Sequence, residues 1–121
     1  MIPWSPLHGG LLGGIVRKIR EGAGTSRSTG GRAAEALERD HERIEQWEAF
    51  CAELGEDPAV VALAWLLAQP GVTAAIIGPS STGQLDTTLR ALDLTLDTAT
   101  LDRIDAIFPG PGGGAPEAYA W

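Results

Sequence analysis

Few side chains in this 121-residue sequence are of a type that could act on a substrate. There is one lysine (Lys18), one tyrosine (Tyr119), one cysteine (Cys51) and two histidines (His8 and His41). His41 lies among charges in the run Asp40-His41-Glu42-Arg43, which reads as a solvated helix face. His8 stands in a glycine-rich loop, either as a spacer or beside a ligand. No His/Cys cluster has the spacing of metal ligands, so a metal site is unsupported. Ser80 and Ser81 have no neighbouring base, and no Gly-x-Ser-x-Gly elbow is present. The carboxylate pairs Glu45/Glu48 and Asp102/Asp105 fall on helix surfaces and read as solubilising charge. Cys51 belongs to an apolar helical stripe and is expected to be a small buried hydrophobe. On their own these residues reveal no catalytic group.

Binding chemistry is better represented. The stretch Thr73 to Leu89, TAAIIGPSSTGQLDTTL, reads as an apolar buried strand, a glycine-centred turn and a helix. Ser81 followed three residues later by Gln84 is the pattern of a capping box. A strand that passes through a small-residue turn into a helix N-terminus gathers free backbone N–H groups at the positive end of the helix dipole, which suits an anion. An ordinary strand-to-helix turn is the alternative. A second glycine-rich stretch, Pro3 to Gly14, has the composition of a loop that carries backbone close to a ligand. It is not a Walker loop, because no Gly-Lys-Ser/Thr follows.

The elements around these loops can be read in order. Met1-Ile2 has the character of a strand end, broken by Pro3 and Pro6. Residues 15 to 21 allow one or two helical turns, and Gly22 to Arg32 is expected to be a mobile surface loop, a lid or a plain excursion. A helix is predicted over Ala33 to Leu54, with Ile44, Trp47, Phe50, Cys51 and Leu54 as its buried stripe and Gly55 as its C-cap. Asp57-Pro58 then opens a second helix, Pro58 to Ala68, apolar on nearly every side and so largely buried. The strand Thr73 to Ile77 precedes a helix over Thr82 to Leu92. Asp97 caps a last helix through Phe108, with Leu101, Ile104, Ala106 and Ile107 as core contacts. Residues 109 to 121 are expected to form an irregular tail. One convincing strand cannot make a sheet, so the chain reads as an incomplete piece of a larger α/β structure.

Composition narrows the function classes. The formal net charge is −7, which argues against nucleic acid or an anionic membrane as a partner. A single cysteine excludes an internal disulfide. No apolar run is long enough to span a bilayer and the N-terminus lacks a leader pattern, so a soluble cytoplasmic protein is expected.

Two separated motifs in a fixed order carry a family resemblance. WSPLHGGLLGG, Trp4 to Gly14, resembles the loop after the seventh barrel strand of aldo-keto reductases. VALAWLLAQPGVTAAIIGPSSTGQLDTTLRALDLTL, Val61 to Leu96, looks like the seventh outer helix, eighth strand and eighth helix of the same family. The resemblance implies an α/β fold, the C-terminal portion of a (β/α)8 TIM barrel, mostly helical here with one or two short strands. Such barrels run to roughly 250 residues, with a phosphate site at the loops after strands 7 and 8.

What the resemblance implies for single residues follows. Trp4 matches the aromatic that stacks on a nicotinamide ring. Ser5, Pro6, Leu7 and Gly9 match the loop around the pyrophosphate. Gly78, Ser80, Ser81, Gln84, Thr87 and Thr88 match positions around the adenosine 2'-phosphate and the adenine. The implied cofactor is NADP, with NAD as the alternative, and the implied activity is carbonyl reduction by hydride transfer on a small aldehyde or ketone. The chain departs from the family where a basic residue often stands near Ser80, where a Glu-Asn pair is common at Thr87 and Thr88, and where lysine is frequent at Ile15. Loss of positive charge at a phosphate removes charge-assisted hydrogen bonds. The family's catalytic aspartate, tyrosine, lysine and histidine belong to earlier strands, so the tetrad is expected outside this chain, which alone should be inactive. A non-catalytic remnant or interaction module that binds no nucleotide is the competing reading.

Overall fold

The computed structural model describes residues 1–23 and 31–110. Among the described residues five α-helices follow one another: α1 (Ile15–Arg20), α2 (Gly31–Leu54), α3 (Pro58–Leu67), α4 (Thr82–Leu89) and α5 (Thr98–Ile107). Short 3-10 turns occupy His8–Gly10 and Arg90–Leu92, the second continuing α4. The expectations for residues 24–30 of the loop and for 111–121 of the tail lie outside the described residues.

Local chemistry explains where the helices start and stop. α2 ends in two hydrogen bonds that together make a Schellman motif, Gly55 N–H to Ala52 O at 3.0 Å and Glu56 N–H to Cys51 O at 3.1 Å. That motif needs a left-handed residue, supplied by Gly55 at φ 70°. The Asp57 carboxylate then accepts the Ala59 N–H at 2.9 Å, with Pro58 in the first turn of α3. Asp97 caps α5 in the same way through the Thr100 N–H at 2.8 Å. Within α2 the helix is interrupted at Asp40, where φ and ψ are −116° and 20°.

The apolar helix α3 is the hub. One side presents Val61 and Ala62 to Trp47, Phe50 and Cys51 of α2 and to Ile104 of α5. The opposite side presents Val60, Leu63 and Ala64 to Ala91, Ala75 and Leu7. A helix sandwiched in this way must be apolar all round, which is why its sequence lacks a polar stripe. Its last turn is less covered than expected, since Trp65, Leu66 and Leu67 are only half-buried. Two other expectations for the core need correction. Leu54, at the end of α2, is 37% exposed, and Ala106 of α5 faces solvent.

The strand expected over Thr73 to Ile77 is not formed as a strand. The segment runs beside Met1 to Trp4, and a single parallel bridge joins Trp4 to Ile76. Thr73 N–H donates to Met1 O and Ile76 N–H to Pro3 O, both at 2.9 Å. With the Met1 ammonium donating to Gly71 O at 2.8 Å, these bonds make one bridge and no ladder, because a ladder needs consecutive bridged pairs along the strand. Nor is the segment buried: Ala75 packs onto α3, whereas Ile76 is 57% exposed. Alternate residues of an extended chain face opposite ways, and among the described residues only one face is covered.

Candidate functional site

The parallel bridge determines where the two candidate loops lie. In a parallel pair both chains run the same way, so both leave at the same end. Beyond Trp4 the chain enters the glycine-rich loop, and beyond Ile76 it enters the turn Ile77 to Ser81 and then α4. The bridge and this shared direction bring Trp4 and the Gly78 turn to one edge of the molecule.

The first loop is wound around Leu7, whose carbonyl accepts from Gly10 N–H at 3.0 Å and Leu12 N–H at 3.2 Å. The Leu7 side chain packs against both hydrophobic clusters that flank α3. Its contribution to the loop is therefore as a brace. Ser5 and His8 take left-handed backbone conformations at φ 52° and 50°, which cost non-glycine residues energy and persist only where their surroundings impose them. Gly9, at φ 66°, is exposed at the loop's tip. Pro6 is half-buried, and Trp4 is 61% exposed.

The second loop reaches α4 through its cap. The Ser81 hydroxyl accepts the Gln84 N–H at 3.2 Å. The reciprocal arm of the expected capping box falls one residue earlier: Gln84 Oε1 accepts from Ser80 N–H at 2.8 Å and from Ser80 Oγ at 3.0 Å. Among the described residues the N–H groups of Thr82 and Gly83 have no protein acceptor, as is usual for a first helical turn. Thr87 and Thr88 donate their hydroxyls back to the Gly83 and Gln84 carbonyls at 2.9 and 2.7 Å. Their oxygens therefore remain acceptors while their protons are engaged. A methyl built on Gly78 meets nothing within 4 Å, which leaves space for a ligand at the backbone. No lysine or arginine occurs from Thr73 to Leu89, and Arg90 pairs with Glu56. The edge thus offers hydroxyl and backbone groups without a cation from Thr73 to Leu89, and Asp86 of α4 adds a negative charge.

The sequence missed what holds the first loop from behind. Glu48 of α2, expected to be solubilising charge, accepts Val16 N–H at 2.7 Å and Arg17 N–H at 2.9 Å. Trp47 Nε1–H donates to the Leu12 carbonyl at 3.2 Å. A signal existed: α1 has glycine at its N-cap, with no side chain to satisfy its first N–H groups, so those donors need an acceptor from elsewhere. Lys18 lies on α1, within the helical turns expected over residues 15 to 21, and its ammonium stands 3.7 Å from where a methyl on Gly13 would sit. His41 is exposed beside Glu45. Among the described residues no group of three His, Cys, Asp or Glu could hold a metal. A shallow cleft of about 370 Å³ lies elsewhere, between α2 and α5, lined by Arg39, Asp40, Arg43 and Ile107 among others. Asp40 bonds both arginines, so one of their two charges is offset by it within the protein.

A sequence profile of the aldo/keto reductase family matches residues 1–108. The chain belongs to the aldo/keto reductase family. Several bacterial proteins named as oxidoreductases are similar to it. Uncharacterized oxidoreductase YrpG of Bacillus subtilis (strain 168) is 46% identical over 121 residues, all of this chain and 36% of that protein. Uncharacterized oxidoreductase Rv2298 of Mycobacterium tuberculosis (strain ATCC 25618 / H37Rv) is 35% identical over 104 residues, covering 86% of this chain and 32% of that protein. Uncharacterized oxidoreductase Mb2320 of Mycobacterium bovis matches to the same extent, 35% over 104 residues. The chain therefore spans about a third of the length of these relatives. Aldo/keto reductases are oxidoreductases that generally use nicotinamide cofactors. No helix among the described residues is long and apolar enough to cross a membrane.

Proposed function

We propose that this chain forms the cofactor-gripping C-terminal portion of an NADP-dependent aldo/keto reductase that reduces small aldehydes or ketones in the cytoplasm. The observation that carries the reading is the parallel bridge between Trp4 and Ile76, which sends both loops off the same edge. The donor set suits a dinucleotide. Ser5, Pro6, Leu7 and Gly9 would wrap the pyrophosphate, Trp4 would lie against the nicotinamide, and Gly78, Ser80, Ser81, Gln84, Thr87 and Thr88 would receive the adenosine end. When bound, the cofactor supplies a hydride. The residues of this chain bind and orient it and supply no proton, since the family's acid and its partners stand on strands that precede these two loops in a barrel. NAD is the alternative cofactor, favoured to the extent that the Gly78 turn lacks a cation for an additional phosphate.

Titration of the 121-residue chain with NADPH and NADH, read by tryptophan fluorescence, tests this. Quenching that disappears in Trp4→Ala supports the reading. No Trp4-dependent change up to millimolar nucleotide removes it for this chain and leaves the non-catalytic module in its place.

A further inference from the structure

The glycine-rich loop has a more exposed end and a buried end. Ser5, His8 and Gly9 are exposed and Pro6, Leu7 and Gly10 half-buried, whereas Leu11, Gly13, Gly14 and Ile15 are buried. At the buried end the space is tight: a methyl on Gly14, itself at φ 86°, would stand 3.4 Å from Arg17 Nη2 and 3.8 Å from Pro58 Cγ. Two consecutive residues of α2 reach across to this end. The Glu48 carboxylate takes two backbone N–H groups with its two oxygens, Val16 on Oε1 and Arg17 on Oε2. The Trp47 indole takes the Leu12 carbonyl.

These three bonds span more than thirty residues of sequence, and they supply what the loop cannot supply for itself. Glycine at the N-cap of α1 offers no side-chain acceptor, and α1 is only six residues long, too short to be stable without tertiary support. A carboxylate at that position meets the positive end of the helix and two unsatisfied donors together. Trp47 itself cannot shift, because it is 2% exposed and lies edge-on to Phe108 at 5.7 Å between ring centres. The anchor is therefore held within the core, while the loop in front of it is partly exposed.

We infer that Glu48 and Trp47 are positioning residues for the nucleotide loop: they hold Leu12 to Arg17 so that Ser5 to Gly10 is presented in one conformation. This rests on the nucleotide-binding reading above. Loosening the anchor lowers the fraction of chains in the competent loop conformation, and apparent affinity falls by that fraction.

The test measures nucleotide affinity by calorimetry and amide hydrogen exchange in parallel, on the full chain and on Glu48→Gln, Trp47→Phe and Ile104→Val. Glutamine keeps the shape of Glu48 but turns a donor towards one of the two N–H groups. Ile104→Val trims a buried methylene of the cluster that also contains Trp47, leaves all three anchor bonds in place and so reports the effect of lost stability. The expected result is faster exchange at Val16 and Arg17 in Glu48→Gln, with dissociation constants for NADPH raised about tenfold in Glu48→Gln and Trp47→Phe and unchanged in Ile104→Val. Faster exchange with unchanged affinity overturns the positioning role, as does exchange at Val16 and Arg17 that stays at the wild-type rate. An equal loss of affinity in Ile104→Val also overturns it, by showing that stability alone is at work. Failure of the unsubstituted chain to bind either nucleotide overturns the nucleotide reading and this role together, and is recognised because it precedes any substitution.

Discussion

Among the described residues nothing requires glycine at position 78. Its backbone is not left-handed, and an added methyl meets no atom within 4 Å. Gly78→Ala should therefore change stability by no more than about 0.5 kcal/mol while weakening nucleotide binding, because a ligand approaching the backbone would meet the methyl. Thermal melts beside a titration separate the two effects. Equal affinity in the variant would mean that nothing approaches this backbone closely. Cys51 shows a different dependence on its surroundings. Burial, with the Asp57 and Glu48 carboxylates adding to it, pushes its thiol from 9.0 up to about 12. A group whose folded pKa lies above its unfolded value stabilises the fold below the unfolded value and loses that contribution as pH rises. Stability should thus decline between pH 9 and 12, and Cys51→Ala should decline less over that window. The thiol should also resist alkylation at pH 8 until denaturant is added. The burial of Cys51 was legible from its place in the helical stripe. The role of Glu48, three residues away, was not, because a carboxylate on a helix looks the same whether it faces water or another segment's N–H groups.

At the scale of elements, the caps were the most legible features. Gly55, Asp57, Ser81 and Asp97 all stand where local rules put them, since a cap depends on residues three or four apart. The second arm of the box at α4 escaped those rules, with Gln84 bonding Ser80 ahead of the cap. Asp97 makes the capping energy visible through pH. Hydrogen bonds from Thr100, the side chain first and the backbone N–H second, hold its carboxyl below the usual 3.8. A depressed folded pKa stabilises the fold above the unfolded value, and the contribution is lost as pH falls through the folded one. The melting temperature of the wild type should exceed that of Asp97→Asn at pH 7, with the gap narrowing once the pH drops below 3.8. A gap that stays constant across that range would mean that the charge is irrelevant to the cap. The predicted strand failed for the converse reason. Residues 73 to 77 have the composition of a strand, but a ladder is a property of neighbours, and the one neighbour described makes a single bridge.

The molecule as a whole exposes apolar side chains along the bridged segments and α4. Met1 is 80% exposed, Ile2 60%, Trp4 61%, Ile76 57% and Leu89 47%. Large contiguous apolar exposure favours association, so sedimentation of the 121-residue chain should show concentration-dependent self-association despite its charge of −7. Ile2→Lys should raise the monomer fraction without lowering the melting temperature, since the side chain packs little. A monomer at all concentrations would contradict this. The same exposure fits a chain that spans 36% of its Bacillus relative, in which the remaining length would have surfaces to cover.

The amino-acid order alone was enough for the helices, their caps, the all-round apolar character of α3 and the family, because each rests on periodicity, on contacts within one turn or on two motifs in a fixed order. Tertiary structure decided three things. It joined Trp4 to Ile76 across seventy residues, set the glycine loop against α2 through Trp47 and Glu48, and left the extended segments as a bridge in place of a sheet. Each depends on which distant backbone donors and acceptors meet, and a linear pattern records the presence of those groups without their partners.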